Sequence, residues 1–147
     1  MNETMYWQKQ VDKFIENTLK KERAEDLSLA SCIDEEIEIV RHRADRFLKE
    51  DPEKFVIFLY VEHQLNKSDP LGCAYPSIVD EYSRYAWHIV ELYKTTNKDK
   101  FCRQLSKYVE DIWDSVCNND RNRKQQIRRT ADNIVKVIEE LCPLIAT

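Results

Sequence analysis

Glycine is all but missing from this chain: Gly72 is the only one in 147 residues. Tight turns, bulges and phosphate-cradling loops need a residue that reaches positive φ without a Cβ clash, so the Gly-rich fingerprints of nucleotide enzymes are excluded. Long apolar runs are missing too. The longest, residues 55–61, falls far short of the ~20 residues that span a bilayer, so no membrane span is expected. The five cysteines, Cys32, Cys73, Cys102, Cys117 and Cys142, form no C-x-x-C pair and are odd in number, which excludes a zinc-like spacing. They read as reduced thiols in a cytoplasmic protein. Residues 1–10 carry Glu3, Tyr6 and Trp7 where a secretory leader would place positive charge and an apolar stretch, so no signal peptide is expected.

What the chain does contain is helical periodicity. With 42% hydrophobic and 34% charged residues it lies outside the disordered class, and its length suits one domain spanning residues 1–147. Start and stop signals divide it into six segments. Residues 3–23 place Trp7, Val11, Phe14, Ile15 and Leu19 on one stripe, and residues 24–30 either continue that helix or break it. A second helix is expected from a Ser31 cap to about Lys49, on Ile33, Ile37, Val40, Ala44, Phe47 and Leu48. Asp51 and Pro52 form a cap followed by a first-turn proline, which opens a third segment apolar on all sides. A helix is preferred there over a buried strand, because a lone strand would have no partner. A loop over residues 67–75 then leads to a fourth helix from Pro76. The fifth runs from an Asp99 cap to about Cys117. The sixth runs from about Asp120 to Cys142, where Pro143 stops it. The expected fold is an all-α bundle of five or six helices around an apolar central one.

Two surfaces look unlike ordinary solvated helix. Arg121, Arg123, Lys124, Arg128 and Arg129 crowd the start of the sixth helix with no acidic residue between Asp120 and Asp132. Cations there oppose the helix dipole at a few tenths of a kcal/mol each. They form a basic edge suited to phosphates or an acidic partner, unless they pair with Glu22, Glu25, Asp111 or Asp114 across the bundle. On the fourth helix, Trp87 points away from the stripe of Ile78, Tyr82, Tyr85, Ala86, Ile89 and Tyr93. Together with Arg84 and Glu91 it has the composition of an interface anchor, unless the helix is covered on both sides. Glu35, Glu38, His42 and Asp45 line the outer face of the second helix and read as a salt-bridged surface, with no metal site expected. His63, on the apolar helix, reads as a satisfied core or edge histidine.

Arg84 and His88 resemble the Arg/His signature of HEPN ribonucleases, helical bundles in which the two residues meet across a dimer. Three residues separate the pair here, where the family has four to six. The resemblance implies a helical ribonuclease with those two residues in its site. Six helices around an apolar one also resemble the Bcl-2 architecture, although its Asn-Trp-Gly-Arg signature is absent. With no Gly-rich loop, zinc spacing or matched catalytic signature, the expected function is a non-enzymatic protein-interaction module without cofactor or metal. Its partner is another protein or a second copy of the chain. The alternative is a nucleic-acid-backbone binder or ribonucleoprotein subunit that uses the basic edge, against which the net charge of -4 counts.

Overall fold

The structure, a computed structural model, describes residues 3–68, 82–114 and 123–145. Among them the α-helices are α1 (Glu3–Phe14), α2 (Lys21–Glu25), α3 (Ala30–Glu50), α4 (Pro52–Ser68), α5 (Ser83–Thr95), α6 (Lys98–Asp114) and α7 (Arg123–Ile145). A π-helical segment, Ile15–Lys20, joins α1 to α2 without a break, so these three form one rod and the described residues form six rods. The all-α bundle expected from the periodicity is what the described residues form.

A helix with no water-facing side has to be central, and α4 is. Phe55, Val56, Ile57, Phe58, Leu59, Val61 and Leu65 are all buried, and α4 packs against α1, α3, α5 and α7. The remaining described rod, α6, rests on α5 and α7. Lys98 at the start of α6 pairs with Glu139 late in α7 at 2.7 Å, which makes these two helices antiparallel.

The joints follow from local chemistry. Asp26 takes an extended backbone, φ -139° and ψ 101°, and its carboxylate accepts from the Ser28 amide at 3.0 Å and hydroxyl at 2.6 Å. That ends α2 and starts a 3-10 turn, Leu27–Leu29, which runs into α3. Because α3 begins at Ala30, Ser31 lies inside the helix and is not its cap. At the next joint the Asp51 carboxylate accepts from the Lys54 amide at 3.2 Å and Pro52 stands first in α4, as the sequence predicts.

Two expected boundaries are corrected. The cap of α6 is Asn97, whose side chain accepts from the Lys100 amide at 2.9 Å, and Asp99 lies in the first turn beside the helix dipole. Helix α7 continues to Ile145, past Pro143. Pro143 stands in the last turn, where few residues follow it in the helix. The loop with Gly72, the helix start at Pro76 and the boundaries at Cys117 and Asp120 lie outside the described residues.

Candidate functional site

The apolar helix α4 carries three buried polar residues in its second half, Glu62, His63 and Asn66. Burial takes them away from bulk water, so each meets a partner from a neighbouring helix. His63 Nε2 lies 2.7 Å from Glu22 Oε2, and its Nδ1 lies 3.2 Å from Glu36 Oε2. The Asn66 amide donates to Glu36 Oε1 at 3.0 Å, and Lys67 reaches Glu22 at 3.0 Å. Beside this set, Arg43 Nη1 lies 3.2 Å from both oxygens of Glu62, and its Nη2 donates to Ser83 Oγ at 3.0 Å. The Ser83 hydroxyl donates in turn to Glu62. The network ties α2, α3 and α5 to the centre of the bundle.

Its electrostatics follow from that enclosure. Burial pushes the His63 pKa down, but the hydrogen bond to Glu22 and the charge of Glu22 and Glu36 outweigh it and hold the imidazole at about 9. Burial pushes Glu22 up, and the pull of His63 and Lys67 overcomes it to bring the carboxyl to about 2. Glu62 ends above the ordinary carboxyl value, because burial dominates what Arg43 and Ser83 give back. The cavity beside these residues is about 10 Å³, too small for a substrate. With every charge matched to one of opposite sign, the cluster ties the helices together; His63 is a core histidine, as the sequence suggests, whose Nε2 is hydrogen-bonded while Nδ1 lies close to Glu36 without a hydrogen bond.

The expected anchor on α5 is corrected. Trp87 does not face outward: its ring stacks on Phe58 at 4.2 Å between centroids and 13° between planes, with Phe47 at 5.2 Å. The physical reason is that α5 lies between two neighbours, burying Ala86, Ile89 and Val90 and turning its Trp87 edge toward the α3–α4 junction. Glu91, the second member of the expected surface, pairs with Lys54 of α4 at 2.7 Å. Arg84 is exposed. Its guanidinium sits 5.0 Å from the centroid of the Tyr85 ring and donates to that tyrosine's hydroxyl at 3.1 Å, on the side of α5 that faces α6.

That side holds an arrangement the periodicity does not single out. His88 and Leu92 of α5, with Arg103, Gln104, Lys107, Tyr108 and Asp111 of α6, line an open groove of about 330 Å³. The His88 ring lies 4.4 Å from the Tyr108 ring, and Tyr85 lies 6.3 Å from it on the other flank. Burial and Tyr85 hold the Tyr108 hydroxyl above its usual pKa, with Arg84 pulling the other way, so the phenol remains a hydrogen-bond donor at neutral pH. Gln104 Oε1 is buried and meets no hydrogen-bond donor among the described residues. Lys107 and Asp111 pair at 2.9 Å, and Arg103 is exposed in the same groove. Arg84 and His88 thus share one face, as helical spacing requires, each resting on a different tyrosine. The one clue in the sequence is that Arg103 and Lys107 recur at i and i+4 beside Tyr108, a spacing also common on solvated faces.

On α7, Lys124, Arg128 and Arg129 are exposed and form no ion pair with a described residue. Two of the acidic groups offered as their partners are engaged elsewhere, Glu22 with His63 and Lys67 and Asp111 with Lys107. Antiparallel packing instead sets the acidic C-terminal half of α6, with Glu110 and Asp111, alongside the basic start of α7 as a whole, which offsets part of the dipole cost. Arg121 lies outside the described residues, as does the side chain of Arg123.

The stripe of Glu35, Glu38, His42 and Asp45 is exposed along α3, as its spacing implies, and no group of acidic, histidine or cysteine side chains among the described residues is arranged to hold a metal. Cys32 is buried, and Cys102 is half-buried and a free thiol. Cys73 and Cys117 and the side chain of Cys142 lie outside the described residues. No helix of the described residues is long and apolar enough to cross a membrane. Compared with protein-family models, with curated proteins and with solved structures, the chain matches none.

Proposed function

We propose that this bundle is a non-enzymatic protein-interaction module whose contact surface is the α5–α6 groove. The observation that carries the reading is the clustering of basic and half-buried aromatic side chains where α5 faces α6: His88 on Tyr108 with Arg103 and Lys107 in the open groove, and Arg84 on Tyr85 beside Tyr108 at its flank. Tyrosine and arginine, with tryptophan, are enriched among the residues that dominate protein interfaces, because large rigid rings and a planar cation bury area at low entropic cost. A groove between two helices with an apolar floor at Leu92 and a cationic rim suits an amphipathic helix bearing acidic residues. The test is reversal of charge at Arg84 and Arg103 together. Both side chains are exposed, so melting should stay unchanged while the partner that co-purifies with the wild-type chain is lost. Retention of that partner by the double variant contradicts the reading.

A second reading rests on the unpaired cations Lys124, Arg128 and Arg129, which suit the phosphates of a nucleic acid. It predicts binding of a nucleic acid with an affinity that falls by orders of magnitude between ~50 and ~200 mM salt and that is lost when Lys124 and Arg128 are changed to Glu.

A further inference from the structure

At the other end of α6, the turn between α5 and α6 leans over α7 without filling the space beneath it. A cavity of about 180 Å³ remains, walled by Tyr93, Phe101, Cys102, Val135 and Ile138. We infer that this cavity is a binding site for a small uncharged aromatic molecule of one or two fused rings.

Three observations select that chemistry. The size fits, since an apolar cavity of ~150 Å³ is enough to hold a benzene ring. The polar groups on its margin are already engaged. The Thr96 hydroxyl donates to the Leu92 carbonyl at 2.6 Å, the Asn97 carboxamide accepts from the Lys100 amide at 2.9 Å, and Lys98 and Glu139 neutralise each other at 2.7 Å. A charged ligand would have to break one of these contacts to be desolvated, whereas an uncharged one displaces only water from apolar walls. The wall itself is aromatic: Tyr93 and Phe101 meet edge to face, centroids 5.6 Å apart at 74°. A ring entering the cavity can continue that edge-and-face pattern. An unfilled apolar space costs packing energy in proportion to its volume, and a ligand of this shape recovers it. The site is separate from the α5–α6 groove: no lining residue is common to the two, so occupancy of one does not presuppose the other.

Cys102 provides the readout. Its half-buried thiol lines the cavity, and Cys32, buried in α3 away from it, serves as the internal reference. The full-length chain is alkylated with iodoacetamide in the presence of indole, and the two cysteines are quantified by peptide mass mapping. Indole at ten times its dissociation constant should slow labelling of Cys102 by about tenfold and leave Cys32 unaffected. Indole-3-carboxylate, the charged analogue, should give no protection. In Val135→Phe, where an added ring occupies the space from a half-buried position, indole should lose its effect. If that variant fails to fold, the comparison of indole with its carboxylate on the wild-type chain decides. Unchanged labelling of Cys102 at millimolar indole, equal slowing of both cysteines, equal protection by the carboxylate, or protection that survives in folded Val135→Phe overturns the inference.

Discussion

His63 Nε2 lies 2.7 Å from Glu22 Oε2, joining the second half of the central helix α4 to the end of the N-terminal rod. The π-helical segment before α2 makes that meeting possible. A π turn holds one residue more than an α turn, so after Ile15–Lys20 the chain is rotated relative to an uninterrupted helix. Ile15 and Leu19 stay buried through the segment, and Glu22 follows them inward to His63. A widened turn beside a buried ion cluster is thus a device for register.

Stability should therefore depend on pH through this pair. The folded pKa of His63, about 9, lies above its ordinary 6.5, so its contribution is complete below pH 6.5 and is lost as pH rises through 9. Glu22, at about 2 against an ordinary 4.5, contributes fully above pH 4.5 and loses that contribution as pH falls through 2. Chemical denaturation followed across pH 6.5 to 9 should show stability falling in the wild-type chain and a flatter profile in His63→Gln. His63→Ala, which leaves Glu36 and Glu22 without their shared cation, should cost about 3–5 kcal/mol. A wild-type profile no steeper than that of the variant would show that the histidine is neutral in the fold.

Trp87 is a packing residue in this account. Its stack on Phe58 and contact with Phe47 predict that Trp87→Ala loses more than about 1 kcal/mol in urea denaturation, outside the ±0.5 kcal/mol of ordinary surface changes. A variant within that surface range would return Trp87 to the exterior.

Those two residues mark how far the sequence could be read. Periodicity locates helices such as α1 and α3 because each has one apolar stripe, and α4 is legible as central because residues 55–61 are apolar on all sides. His63 stood out for the same reason. Its partners did not, because Glu22 and Glu36 look like any surface carboxylate until the π turn and the pitch of α3 bring them inward. Trp87 was misassigned because a single stripe on α5 assumes a helix covered on one side, and α5 is covered on two. The α5–α6 groove was hidden for a tertiary reason: His88 and Tyr108 are far apart in the chain, and only packing makes them neighbours.

The exposed cations of α7 should matter little to folding. Changing Lys124 and Arg128 together to Glu places acids near the positive end of the helix dipole, so thermal denaturation should show stability unchanged or raised by a few tenths of a kcal/mol per site. A loss of more than about 1 kcal/mol would mean that these side chains hold the fold together.

The most direct test of the proposed function is a photo-crosslinking residue placed at His88 in the groove and, in a separate variant, at exposed His42 on α3. The crosslinked products from the native cell are mapped by mass spectrometry. The account predicts that position 88 captures a segment of a protein rich in Asp and Glu, that the capture is lost when Arg84 and Arg103 are changed to Glu, and that position 42 captures nothing comparable. Equal capture at the two positions, or nucleic acid in place of protein at position 88, would contradict it.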